Sequence, residues 1–246
     1  MAKIDRHELK KDEFAEEIST VYSYVTENPT KVLMWAIIVI VVVGGALGYY
    51  SYHKKMKKNA IEKLGLVYIM LDAGQYNEAL DTVKVIIDRY SGTDAAKIAK
   101  YLLGHINYAF GYLDSAITAY EDFLKVENPD SDLAAAALFG IGICYEDKGQ
   151  YKKAIEYYQK VLKEYPNFFR NDEVMLSIAR CYDVMGDFDN AIKYYEELVK
   201  KYPDTQLYQR ASVLLARAKS RAFAYFGGGK NLPKPQENAQ NINQQG

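Results

Sequence analysis

Residues 138–166 read LFGIGICYEDKGQYKKAIEYYQKVLKEYP. Leu138, Ile141, Cys144 and Tyr145 fall at helical spacing, so the first eleven residues form a helix with one apolar face. Gly149 stands where that helix ends, and glycine enters the left-handed conformation of a helix terminus at little cost. Ala154, Tyr158, Val161 and Leu162 mark the inward face of a second helix. Ala154 is small because the two helices approach closely there. Pro166 lies beyond the last turn, where it cannot continue the helix. The unit is an antiparallel helix pair that cannot bury its apolar face alone, so stacking is obligatory.

Working outward, the same pattern recurs. Ala79, Ala116, Ala154 and Ala191 are separated by 37, 38 and 37 residues. Five residues before each stands Gly74, Gly111, Gly149 or Gly186, and three before each stands Tyr76, Leu113, Tyr151 or Phe188. Pro166 and Pro203 each follow the alanine by twelve residues. Registers that agree across four copies identify a repeat array. The pattern predicts an all-α fold: four helix pairs at about 60–93, 97–130, 135–168 and 172–205. A further helix over 206–224, apolar at Leu207, Ala211, Leu214, Leu215 and Ala218, caps the exposed end of the array.

Gly104, Gly142 and Ala179, then Tyr145 and Tyr182, then the alanine, an aromatic and the proline, resemble the tetratricopeptide repeat (TPR) signature. Copies three and four match best. Copy one has Val67 and Met70 at the glycine and tyrosine positions, and copy two has Asn107 in place of the tyrosine. The usual TPR period is about 34 residues, so the loops between pairs are slightly longer here. That lengthening is similar to bacterial envelope TPR proteins of the YfgM, CpoB and BamD type. The resemblance implies a right-handed superhelical solenoid covering about two thirds of the chain, residues 60–224.

Ahead of the repeats, Val32 to Tyr50 form nineteen residues without a charge. At 1.5 Å per residue they extend roughly 28 Å, against a hydrocarbon core of about 30 Å. Trp35 at one end and Tyr49, Tyr50 and Tyr52 at the other suit the two interfaces. The long polar stretch before the run, and the lack of a clean small-x-small site after it, argue against a cleaved signal peptide. The expectation is one uncleaved transmembrane helix over 32–52, followed by a basic link over 53–59. Gly44 and Gly48 make a GxxxG spacing, which lets two membrane helices approach closely and makes self-association a hypothesis. Within residues 1–31, Phe14, Ile18, Val21, Tyr22 and Val25 form one stripe of a short amphipathic helix ending near Asn28-Pro29. That helix rests on the membrane surface or a partner chain, or else docks a cytosolic or membrane factor. The tail over 225–246, with Pro233, Pro235 and many Asn and Gln, is expected to be flexible.

Orientation is contested within the sequence. Lys54, Lys55, Lys57, Lys58 and Lys63 follow the apolar run, and only Lys31 closely precedes it. By the positive-inside rule the repeats would face the cytoplasm. The remote Lys3, Arg6, Lys10 and Lys11 level the tallies at five each. The envelope-protein resemblance implies the opposite: a cytoplasmic N-terminus at the bacterial inner membrane and repeats in the periplasm.

A formal net charge of −1 supplies no basic field for nucleic acid. His7, His53 and His105 have no ligand spacing to another His or Cys, so no metal site is expected. No phosphate loop or nucleophile elbow appears, so neither a cofactor nor a catalytic set is expected. Acid pairs such as Glu146-Asp147 and Glu196-Glu197 read as solvated helix faces. Cys144 and Cys181 occupy the same repeat position. Stacked pairs lie roughly 8–10 Å apart, beyond the about 7 Å that a disulfide spans between Cα atoms. Both read as small buried residues.

By the TPR resemblance, the first helix of each pair lines a concave face through its second, fifth, ninth and twelfth positions. The fifth positions are Leu64, Tyr101, Phe139 and Leu176; the ninth are Tyr68, His105, Ile143 and Arg180. The twelfth are Leu71, Tyr108, Glu146 and Asp183. The Lys, Asn and Arg set that clamps chaperone C-termini is missing, and the groove is apolar at one end. Such a groove suits an extended or helical polypeptide segment. The function expected is a membrane-anchored scaffold for protein partners, such as translocon or envelope-assembly components. Alternatives are a structural part of an envelope or motility complex, or a cytosol-facing adaptor.

Overall fold

The computed structural model describes residues 18–127 and 129–225, and these are helical throughout apart from short turns. Helix α1 covers residues 18–27. It is followed by α2 (Pro29–Asp72), α3 (Tyr76–Arg89), α4 (Asp94–Ala109), α5 (Leu113–Leu124) and α6 (Ser131–Asp147). Then come α7 (Tyr151–Glu164), α8 (Asn171–Met185), α9 (Phe188–Lys201) and α10 (Tyr208–Tyr225). Phe14 and the tail beyond Tyr225 lie outside the described residues.

The chain divides after Lys58 into two compact units. In the N-terminal one, Ile18, Val21, Tyr22 and Val25 of the expected stripe are helical and exposed. Asn28 interrupts the helical run just before Pro29. Helix α2 is long and apolar enough to cross a membrane by length and composition, and none of its apolar window is buried within the protein. The stretch read as a basic link is part of this same helix. Around Gly44 and Gly48 nothing else in the structure comes within 4 Å of where a Cβ would sit.

The C-terminal unit is a solenoid of helical hairpins in which each helix packs on the next. Its geometry follows from small residues placed periodically. Ala79, Ala116, Ala154 and Ala191 are completely buried where paired helices meet. Gly74, Gly111, Gly149 and Gly186 end the first helix of each pair with φ between 70° and 77°, the left-handed region that side chains with a Cβ avoid. Gly142 marks a different constraint: a Cβ there would lie 2.3 Å from the Tyr158 ring. The hairpin closes that tightly only because position 142 has no side chain.

Side-chain caps start several helices. Thr93 accepts from the Ala96 amide, Asp130 from those of Asp132 and Leu133, and Asp187 from that of Asn190. After Pro166, the Asn171 amide donates to the Tyr165 and Pro166 carbonyls at 2.9 and 3.0 Å, pinning the longer loop. At the C-terminal end, α10 buries Ala211, Ala218 and Ala222 against the last hairpin, with Leu214 and Leu215 partly covered beside them. The core is thereby closed at that end by a helix whose outer side mixes Gln209, Arg210 and Arg217 with exposed Val213, Phe223 and Tyr225.

Candidate protein-binding groove

Helices α4 and α6, the first helices of the second and third hairpins, bring Tyr101, His105, Tyr108, Phe139 and Ile143 to one pocket of about 170 Å³. Four further residues complete the wall: Tyr120, Ala136, Gly140 and Arg170. Tyr120 belongs to the second helix α5, yet its ring reaches the pocket because Gly104 and Gly140 leave room. A Cβ on either would fall 2.6 or 2.8 Å from that ring. Arg170 comes from the loop before α8 and lies over the Phe139 ring, 4.9 Å from its centre.

The other residues expected to line the groove are placed elsewhere. Leu64 is buried in the first hairpin with Ala60, Val67, Ala79 and Val83. Leu176 is buried among Phe188, Ile192 and α10. Both stand at the same repeat position as Tyr101 and Phe139 but do not border the pocket; Phe139 borders it while being itself a buried core residue beside Tyr158. Tyr68 is exposed on α2. Arg180 does not line the pocket: its guanidinium donates to Glu146 at 2.6 Å. Glu146 corrects a second expectation. It is no solvated carboxylate, being 13% exposed and also accepting from the Tyr158 hydroxyl at 2.8 Å.

The pocket is polar at its edges and carries little charge. Arg170 makes a fork to Glu173, at 3.0 Å from Nε and 2.5 Å from Nη2, which neutralises it. Desolvation pulls the His105 imidazole below its ordinary value, so it is neutral at pH 7. Tyr108 is pushed up to about 12 by burial and by the bond its hydroxyl donates to Asp147 at 3.0 Å. Burial also raises Tyr101 and Tyr120. The wall therefore presents aromatic faces, phenol hydroxyls and one neutral imidazole, a set that accepts apolar side chains and satisfies backbone groups beside them. Among the described residues no group of three or more His, Cys, Asp and Glu is arranged to hold a metal. A recess of about 320 Å³ on α3, α4 and α5 is lined by Ile87, Leu103 and Lys100, with Lys125 paired to Asp122.

Models of the tetratricopeptide repeat match residues 145–218 and 101–167. Residues 101–218 carry tetratricopeptide repeats. No curated protein matches its sequence. Among solved structures, BtubC from P. vanneervenii aligns with a TM-score of 0.60 at 16% identity, over 76% of this chain and 81% of that one. MamA aligns at 0.50 and 27% identity, over 67% of this chain and 92% of the other. YrrB, described as a TPR protein with an unusual peptide-binding site, aligns at 0.51 and 17% identity, over 74% and 85%. TPR solenoids of this kind are protein-interaction scaffolds, generally without catalysis.

Proposed function

We propose that this chain is a membrane-anchored scaffold whose TPR solenoid holds an uncharged, apolar polypeptide segment in the pocket between α4 and α6. The observation that carries this reading is the pocket itself. Tyr101, Tyr108, Phe139 and Ile143 meet there around a neutral His105 and a neutralised Arg170. A carboxylate ligand finds no unpaired cation in that wall. An apolar segment buries its side chains against the rings, while tyrosine hydroxyls at the rim meet its backbone. A photoreactive residue at His105 or Tyr108 in intact cells should give adducts with exported or envelope proteins, whereas one at Lys160 on α7 should not. Equal adducts from all three positions, or none, would remove the reading.

The anchor in this proposal is the nineteen-residue uncharged run of α2, supported by its length, its exposure and the aromatic residues at its ends. By the longer TPR period, the chain is similar to envelope proteins of the YfgM type. On that basis the membrane is the bacterial inner one, the solenoid faces the periplasm, and the partners are secreted chains or envelope-assembly components. Alkaline phosphatase fused to the C-terminus should be active. A silent fusion would favour the second reading, a cytosol-facing adaptor, which the lysines after the run support.

A further inference from the structure

We propose that the pocket between α4 and α6 is a socket for one tyrosine side chain of the bound segment, recognised by the hydroxyl of Tyr120. The inference rests on the pocket reading above and names the residue that anchors the segment. Tyr120 is only 4% exposed, yet from α5 it forms part of the pocket wall. Its ring is wedged between two glycines, and its two edges differ. A Cβ on Gly104 would meet the ring along Cγ, Cδ1 and Cε1, whereas one on Gly140 would meet Cε2, Cζ and the hydroxyl. Gly140 borders the pocket and Gly104 does not, so the edge that carries the hydroxyl is the one turned to the cavity. Among the described residues that hydroxyl has no hydrogen-bond partner. Tyr101 and Tyr108 of the same wall are only half-buried, so the covered Tyr120 hydroxyl is the one most in need of a partner.

Size and chemistry select the occupant. The cavity measures about 170 Å³, and a cavity of about 150 Å³ admits a benzene ring, so the socket takes one six-membered ring. Tyr101 and Phe139 offer that ring the tilted and edge-to-face contacts that aromatic pairs prefer. A charged guest is disfavoured, because the guanidinium in the wall, Arg170, and its partner Glu173 already neutralise each other. Phenylalanine or leucine fills the space but seals the Tyr120 hydroxyl from water without giving it a partner, a loss that the apolar contact must first overcome. Tyrosine matches the site group for group: one hydroxyl meets another, and each both donates and accepts.

The test measures fluorescence anisotropy of labelled, end-blocked peptides of Ser, Ala and Val with a central Tyr, Phe or Leu. The full chain is titrated in mild detergent, with detergent alone as the blank. The tyrosine peptide should bind about tenfold more tightly than the other two, the effect of one buried hydroxyl gaining or lacking its partner. Tyr120→Phe keeps the ring and removes only the unpaired hydroxyl, so its circular dichroism should match the wild type and its preference for tyrosine should vanish. Ala136→Phe fills the pocket and should abolish binding of all three peptides. Equal binding of the three to the wild type, lost in Ala136→Phe, overturns the tyrosine socket and leaves the apolar-segment reading standing. A tyrosine preference that survives Tyr120→Phe overturns the assignment to that hydroxyl. Binding that survives Ala136→Phe, or no binding of any peptide to the wild type, overturns the pocket reading and this inference with it.

Discussion

Arg180 on α8 donates to Glu146 on α6 at 2.6 Å, across 34 residues of sequence. The same carboxylate accepts from Tyr158 on α7, so one acid fastens three helices of two adjacent hairpins. A related tie follows one repeat later, where Arg221 on α10 donates to Asp183 on α8 at 2.7 Å. These bonds fix the rotation of one hairpin against the next, which apolar packing alone specifies less sharply.

Arg180→Met should therefore weaken the solenoid by about 1–2 kcal/mol, because it leaves a mostly covered carboxylate with neutral donors alone. The figure is kept low because the arginine side chain is 39% exposed and partly screened. Adding Glu146→Gln to that variant should restore most of the loss. Urea unfolding of the full chain in detergent, followed by circular dichroism, checks both; additive losses in the double variant would contradict the pairing.

Tyr158 and Tyr195 occupy equivalent repeat positions, and both are completely buried. The Tyr158 hydroxyl bonds Glu146, whereas the Tyr195 hydroxyl has no partner among the described residues. Tyr158→Phe should cost about 1 kcal/mol, and Tyr195→Phe should be neutral or stabilising. The same denaturation experiment reads the difference, and equal losses would refute it.

Gly142→Ala drives a methyl into the Tyr158 ring and should cost about 1–3 kcal/mol through overpacking. At Gly65, on α2, nothing lies within 4 Å of a Cβ. Gly65→Ala should therefore stabilise its helix by about 0.5–1 kcal/mol. Thermal midpoints of the two variants should move in opposite directions.

Alkaline pH should unfold the solenoid. Burial pushes Cys144 and Cys181 up to about 12, and Tyr108 and Tyr195 reach about 12 as well. Each folded value lies above its unfolded one, about 8.5 for cysteine and 10 for tyrosine. The native state thus holds these protons more tightly. Their contribution is complete below about pH 8.5 and drains away as pH climbs toward 12. Stability measured between neutral pH and pH 12 should fall from about 8.5 upward. Phenolate absorbance should show exposed tyrosines ionising first and buried ones only with unfolding.

The hairpins were legible because their constraints are local. A glycine at each turn and an alanine at each contact leave a fixed spacing that no other helical arrangement requires. The groove was legible only in part. Tyr101, His105, Tyr108, Phe139 and Ile143 share a face set by helix period, so their convergence follows from spacing. Leu64 and Leu176 share that spacing too but lie away from the pocket, and periodicity does not encode which members of a face border a cavity. Arg170 comes from a loop and so has no helical register to betray it. Tyr120 left a faint signal: Gly140 sits mid-helix with no turn to explain it, a sign that something bulky approaches. Glu146 looked solvated because its partners lie 12 and 34 residues away.

The two sulfhydryls have a practical corollary. Both are free, buried and held protonated at any physiological pH. Thiolate exchange, the chemistry that distinguishes an oxidising milieu from a reducing one, has no purchase on them. The stack can thus mature on either side of a bilayer without a disulfide catalyst. A cysteine placed at His105 would also be the one thiol a polar reagent reaches, turning the groove into an addressable reporter.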